Sequence, residues 1–159
     1  FVMTRRTLLS LFSAIGVAPA VASAQGKPGV AYKVTFTDAE WKQRLSPAQY
    51  EVLRQEGTER AFTSALNNEK RKGTYHCAGC DAPLFSSDMK FDSGTGWPSF
   101  FTYIPGRLGT RTDFKLILPR TEYHCIRCGG HQGHVFDDGP PPTGKRYCNN
   151  GLALRFTPA

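Results

Sequence analysis

Three observations predict a mainly β domain with short amino-terminal helices. Eleven prolines and sixteen glycines in 159 residues interrupt long helices and favour a loop-rich sheet protein. From Gly73 onward, short apolar runs alternate with Gly, Pro and Asp clusters, the pattern of strands and turns. Two Cys-x-x-Cys turns, Cys77–Cys80 and Cys125–Cys128, stand far apart in sequence, as expected of a sheet domain clipped together by thiols. The length suits one domain with a real core, and a hydrophobic content of 40% excludes disorder over most of the chain.

The amino terminus reads as an export signal over residues 1–24. Arg5-Arg6 is followed by Thr7-Leu8-Leu9, a mildly apolar stretch and Ala22-Ser23-Ala24, the charged, apolar and small-residue order of a cleavable leader, with the paired arginines of the twin-arginine type. The expected destination is periplasmic or secreted. The apolar stretch is shorter than the ~20 residues of a spanning helix and Pro19 interrupts it, so no stable membrane anchor is expected. Residues 25–36 are assigned to a linker and a first strand, and 37–157 to the domain. The net charge is +7, but two of those charges are Arg5 and Arg6. No Lys/Arg run dominates the remainder, so nucleic acid is not an expected partner.

Thr37-Asp38-Ala39-Glu40 is a capping box, predicting a short helix through Trp41 to about Leu45. Ser46-Pro47-Ala48-Gln49 starts a second, with proline at its first position, which should carry Tyr50, Leu53 and Arg54 and stop at Gly57. Trp41, Tyr50 and Leu53 are the expected core anchors of the two helices. Residues 58–72 are polar and irregular, with at most a helical turn. Strands are expected at Gly73–His76, Phe114–Leu118, Glu122–Cys125, His134–Phe136, Arg146–Asn149 and Leu152–Phe156, with "DDGPPPTGK" as a turn-rich loop.

Each Cys-x-x-Cys turn presents two thiolates from one tight loop, and two of them complete the tetrahedron of a structural zinc. Cys77, Cys80, Cys125 and Cys128 are the expected ligands of one zinc per chain. Disulfides are the rival in an exported protein; a redox pair would precede a helix in a βαβ unit, which is absent from the pattern. His131 and His134 follow the second turn, but four thiolates already close the site and leave both histidines free. His76 and His124 are read as structural or surface groups.

Cys148 is then the one unassigned cysteine. A buried lone cysteine often serves as a small hydrophobe. Lys145 and Arg146 would favour its thiolate, Asn149 and Asn150 bring amide donors, and Asn150 shares its strand face if the segment is extended. His131 and His134 are candidate acids or bases. Trp97 lies in a Gly-x-Gly-Trp-Pro turn, where an aromatic more often meets ligand than core.

From Thr37 to Phe156 the chain resembles the methionine sulfoxide reductase B family. The carrying motifs are the two knuckles, "SGTGWPSF" (93–100), "GGHQGHVFDDGP" (129–140), and "RYCNN" with "LRF". The resemblance implies an Mss4-like β domain with zinc remote from catalysis, and thiol-dependent reduction of the R epimer of methionine sulfoxide, free or in oxidised proteins. It implies Cys148 as nucleophile, Trp97 as the wall for the substrate methyl group, and His131, His134 and Asn150 as hydrogen-bonding groups for the sulfoxide oxygen. Phe136 and Arg146 would shape the pocket and favour the thiolate. Thr95 stands where many members carry a resolving cysteine, so an external thiol, small or thioredoxin-like, is the expected reductant. Gly151 replaces a common serine, and Arg60-Ala61 common prolines. The rival readings are a zinc-ribbon binding module, which leaves Cys148, Trp97 and the histidines unexplained, and a cysteine peroxidase or redox sensor.

Overall fold

A computed structural model describes residues 31–159; the expected export signal over 1–24, and residues 25–30 of the linker, lie outside the described residues. Residues 31–36 form no strand, against expectation. They run instead along the second knuckle, where the Val34 amide donates to the Arg127 carbonyl (2.9 Å). No helix among the described residues is long and apolar enough to cross a membrane.

The helices are α1, Asp38–Arg44, and α2, Pro47–Gln55, and both start with reciprocal capping boxes. Glu40 N donates to Thr37 Oγ1 and Thr37 N to Glu40 Oε2; Ser46 and Gln49 repeat the arrangement. Helix α2 ends at Gln55, two residues before Gly57, with Glu56 in the left-handed region (φ 57°). Gly57 serves close approach: a Cβ there would lie 2.9 Å from the Glu51 carbonyl oxygen. Trp41 and Leu53 are buried and seat the pair. Tyr50 is only half-buried, because its hydroxyl is drawn outward to donate to Asp38. Arg54 stacks its guanidinium over Trp41 (4.5 Å) and donates to the Cys128 carbonyl (3.0 Å), tying α2 to the second knuckle.

Nine strands follow: β1 Gly73–Cys77, β2 Pro83–Ser86, β3 Lys90–Phe91, β4 Ser99–Phe100, β5 Leu108–Asp113, β6 Arg120–Cys125, β7 His131–Phe136, β8 Arg146–Asn149 and β9 Leu154–Pro158. They form two antiparallel sheets, ordered β2-β1-β9 and β3-β4-β8-β7-β6-β5. Aromatics join them. Phe85 of the small sheet stacks on Phe100 of the large one at 4.0 Å between ring centroids, and Tyr75 meets Phe100 edge-on at 5.0 Å. These fully buried rings anchor the core, and their geometry adds roughly 0.5–1.5 kcal/mol per pair beyond area burial.

The strand expected at Phe114–Leu118 is not formed. Asp113 pairs with Arg120 at the end of the β5–β6 ladder, and 114–118 is the exposed tip of that hairpin. An apolar run at a hairpin tip looks like a strand in sequence, because composition is all that periodicity can read there. Polar β5 ("LGTRTD") and the short β2, β3 and β4 were not predicted: their pairing comes from neighbours distant in sequence.

Candidate active site

The four knuckle cysteines converge. One sulfur from each lies within 4.8 Å of all the others, with Cys77–Cys128 at 3.7 Å and Cys80–Cys125 at 3.5 Å. A tetrahedral zinc with Zn–S near 2.3 Å sets sulfurs about 3.8 Å apart, so the set fits a zinc site. None of the four is in a disulfide. The amides of Gly79 and Gly130 donate to Cys77 and Cys128 Sγ, and Gln132 Nε2 to Cys77 Sγ, each at 3.4 Å. The left-handed residue follows the second cysteine in both turns: Asp81 (φ 68°) after Cys80 and Gly129 (φ 75°) after Cys128.

Away from the cluster, cross-strand register builds one polar row. Ser99 (β4) pairs with Cys148 (β8), Cys148 with His134 (β7), His134 with Glu122 (β6) and Glu122 with Arg111 (β5). Directly paired residues share a face. The intervening positions Tyr123 and Asn149 face the other way into the core, where the Tyr123 hydroxyl donates to Asn149 Oδ1 (2.8 Å). Asn149 is therefore structural. Gly133 keeps the row tight: a Cβ there would meet the Cys148 carbonyl oxygen at 1.9 Å.

Above the row lies a cleft of about 220 Å³ lined by Cys148, Trp97, Phe136, Arg146, His134 and Asn150, with Thr58, Thr95, Arg120 and Gly133. Six of the seven expected site residues thus share one cavity. His131 does not line it. It is buried behind His134, ring centroids 5.4 Å apart, with Nδ1 donating to Glu122 Oε1 (2.9 Å) and Nε2 without a hydrogen-bond partner.

Most of the polar groups are braced. His134 Nε2 donates to Asp113 Oδ2 (2.7 Å), which also receives Arg120 (3.1 Å). The Asp113 carboxyl is pushed down to about 2, first by the Lys115 amide and then by His134. Burial lowers the His134 pKa despite Asp113, and Arg120 adds to the lowering. Asn150 Oδ1 accepts from the Glu59 amide and Nδ2 donates to the Gln132 carbonyl, both at 3.0 Å; one Nδ2 hydrogen is left over. Trp97 is fixed by Nε1 donating to the Glu59 carbonyl (3.0 Å). Arg146 forks onto Asp138 (2.8 and 3.0 Å) and stacks over Phe136 (4.4 Å), while Lys145 pairs with Asp137.

The Cys148 thiol departs from expectation. Burial pushes its pKa up; the charge of Arg146 and hydrogen bonds from Thr95 and Arg146 only partly oppose this. The expected cationic surroundings are weakened because Arg146 is itself neutralised by Asp138.

Sequence reasoning missed Asp113, Glu122, Glu59 and Asp138. Glu122 is buried between His124, His131 and Arg111. Burial opposes its ionisation, but those bonds outweigh it and hold its carboxyl well below the usual range. The place of Glu122 at the start of the strand expected at Glu122–Cys125 was an available signal. Asp113 and Glu59 carried none, since their partners come from other strands and loops.

This fold and site define a two-sheet β protein with a four-cysteine metal-type cluster and a separate cleft around a lone thiol. The chain belongs to the SelR family, methionine sulfoxide reductases of the B type: the SelR domain model matches residues 45–158. It is 54% identical over 127 residues to the peptide methionine sulfoxide reductase MsrB of Agrobacterium fabrum, covering 79% of this chain and 94% of that one. The MsrB of Leptospira interrogans is 53% identical, over 79% of this chain and 96% of the relative. The chloroplastic peptide methionine sulfoxide reductase B1 of Oryza sativa is 54% identical over 82% of this chain and 61% of the plant protein.

Proposed function

We propose that this chain reduces the R epimer of methionine sulfoxide to methionine, with Cys148 as nucleophile and an external thiol as reductant. The observation that carries the reading is Cys148 in a cleft walled by Trp97 and Phe136 and edged by His134, Asn150 and Arg146. A methyl sulfoxide needs an apolar wall for its methyl and donors for its oxygen. Trp97 and Phe136 supply the wall; the remaining Nδ2 hydrogen of Asn150 supplies a donor, and His134, whose Nε2–H is held by Asp113, offers a second at Nδ1 only as the imidazolium. His131 supports His134 from behind.

Cys148 Sγ bonds to the sulfoxide sulfur as the thiol proton passes to the sulfoxide oxygen. The oxygen then migrates to Cys148 as both its own bond and the Sγ bond to the methionine sulfur break. Cys148 leaves as a sulfenic acid and methionine is reduced, with atoms and electrons conserved. Thr95 stands where a resolving thiol would be needed, and the other four cysteines sit in the cluster. One external thiol therefore displaces water from the sulfenic acid to form a mixed disulfide, and a second releases Cys148.

Zinc on Cys77, Cys80, Cys125 and Cys128 is part of this proposal, in a structural role away from the cleft. So is export: the leader over 1–24 would be removed after Ala24. Replacing Arg5 and Arg6 by lysine should hold the leader-bearing form in the cytoplasm, as fractionation and mass spectrometry would register. An exported, processed double variant would overturn the twin-arginine reading.

The function is tested on separated R and S epimers of N-acetylmethionine sulfoxide with dithiothreitol. Turnover of R alone is expected, lost in Cys148→Ser. Turnover of S, or activity surviving the substitution, would overturn it.

A further inference from the structure

The hairpin tip that failed to be a strand is an apolar patch. Among the described residues, six large hydrophobic side chains are strongly exposed, and Phe114, Leu116, Ile117 and Leu118 are four of them, at 59% exposure or more. Scattered exposed hydrophobes need no explanation, but a contiguous cluster marks a contact surface.

Its position relates it to the cleft. The tip begins immediately after Asp113 and ends before Pro119-Arg120. Asp113 holds His134, and Arg120 lines the cleft. The apolar tip thus adjoins the site of chemistry along the chain, through the Asp113–Arg120 ion pair that closes the hairpin. A free amino acid, zwitterionic and small, has nothing to lay on such a surface. A polypeptide presenting methionine sulfoxide to the cleft must run its flanking residues over the rim.

We propose that Phe114, Leu116, Ile117 and Leu118 dock the apolar residues flanking methionine sulfoxide in an unfolded polypeptide, making such chains this site's preferred substrates. The proposal rests on the sulfoxide reductase reading. Methionines of protein cores have apolar neighbours, which become accessible when the oxidised protein unfolds. The charges at the tip fit an uncharged partner: Lys115 pairs with Glu56 (3.1 Å) and Arg120 with Asp113 (3.1 Å), so neither is spare for an anionic lipid surface. Four side chains also fall well short of the roughly 20–30 residues a side of a stable dimer.

The test uses the full chain and a quadruple variant, Phe114→Ser, Leu116→Ser, Ile117→Ser and Leu118→Ser. Substrates are N-acetylmethionine R-sulfoxide, a 13-residue peptide with R-sulfoxide flanked by leucine and valine, and the same peptide flanked by serine. The wild type should favour the apolar peptide over the serine peptide by about tenfold or more in kcat/KM, a modest effect for burying one or two aliphatic side chains. In the variant the preference should fall to within about twofold, with turnover of N-acetylmethionine sulfoxide unchanged. Equal loss on all three substrates would make the tip a structural support and overturn docking. A preference unaltered by the variant would also overturn it; tip-dependent sedimentation with phosphatidylglycerol vesicles, or tip-dependent dimers in light scattering, would then identify lipid or a second copy as the occupant. A wild type that reduces none of the three overturns the reductase reading itself, and docking with it.

Discussion

Cys148 lies under opposing influences, and the balance sets when it can react. Burial favours the neutral thiol; Arg146 and Thr95 favour the thiolate but do not win. An unperturbed thiol has a pKa near 8.5, so the resting site is protonated at neutral pH. On the proposed mechanism the proton would leave during encounter with a sulfoxide oxygen rather than before it. Thr95 belongs to a hydroxyl chain: Ser93 Oγ lies 2.8 Å from Thr95 Oγ1 and 2.7 Å from Ser99 Oγ, and Ser99 Oγ is also 3.0 Å from the Trp97 carbonyl. Each hydroxyl has one proton, so Thr95 can give its own to Cys148 only while Ser93 donates to Thr95. Thr95→Val keeps the shape and removes the donor. Iodoacetamide alkylation of Cys148 should follow a single ionisation above the usual thiol value, shifted higher still in Thr95→Val. The variant's kcat should fall about tenfold or more, the worth of a hydrogen bond to a charged group, and Thr95→Ser should restore most of it. An unchanged alkylation profile in Thr95→Val would remove Thr95 from the site's chemistry.

At the scale of elements, the β5–β6 hairpin serves the site without contributing the nucleophile. Its ladder sets Asp113 against His134 and Glu122 against His131. Because the folded pKa of Asp113 is depressed to about 2 from an ordinary carboxylate value, its stabilisation is fully present above pH ~4 and lost as pH falls toward 2. Asp113→Asn should flatten the acid side of the melting-temperature profile over that window. It should also lower kcat by roughly tenfold or more with KM little changed, the scale of a mispositioned acid–base group. A kcat loss without any change in the acid profile would separate the two roles. The helices and the closing strands were legible in sequence because their signals are local: a Thr37–Glu40 box, a Ser46-Pro47 start, the alternation of "RYCN". The row Ser99–Cys148–His134–Glu122–Arg111 was not, since each step crosses to a strand far away in sequence. Cys148, His134 and Trp97 could be singled out by residue type and motif, whereas Asp113 and Glu59 are acidic residues in polar stretches whose meaning lies wholly in their partners. The tip at 114–118 was misread for the complementary reason: apolar composition announces burial, and here the residues are exposed.

For the whole molecule, the four-cysteine cluster joins the sheets. Cys77 ends β1 of the small sheet, Cys125 ends β6 of the large one, and the Cys80 and Cys128 turns complete the set. The aromatic contacts among Tyr75, Phe85 and Phe100 lie between the same sheets, so clip and core resist the same separation. A structural zinc contributes about 10–16 kcal/mol of apparent binding energy in small domains, comparable with or larger than the roughly 5–15 kcal/mol by which a domain is stable. Removing the metal should therefore unfold the chain rather than merely silence it. Plasma mass spectrometry of the purified protein should give one zinc per chain, and prolonged exposure to a strong chelator should abolish the cooperative thermal transition, restored by stoichiometric zinc. Cys77→Ser should reproduce the chelated state. Cys148→Ser should keep both the metal and a melting temperature within a few degrees of the parent, because its thiol is not one of the four in the cluster and its proposed role is chemistry instead of closure. Metal-free protein with an intact transition and two disulfides, detected by mass shift on reduction and alkylation, would replace the zinc clip with covalent bridges and leave the assignment of Cys148 untouched.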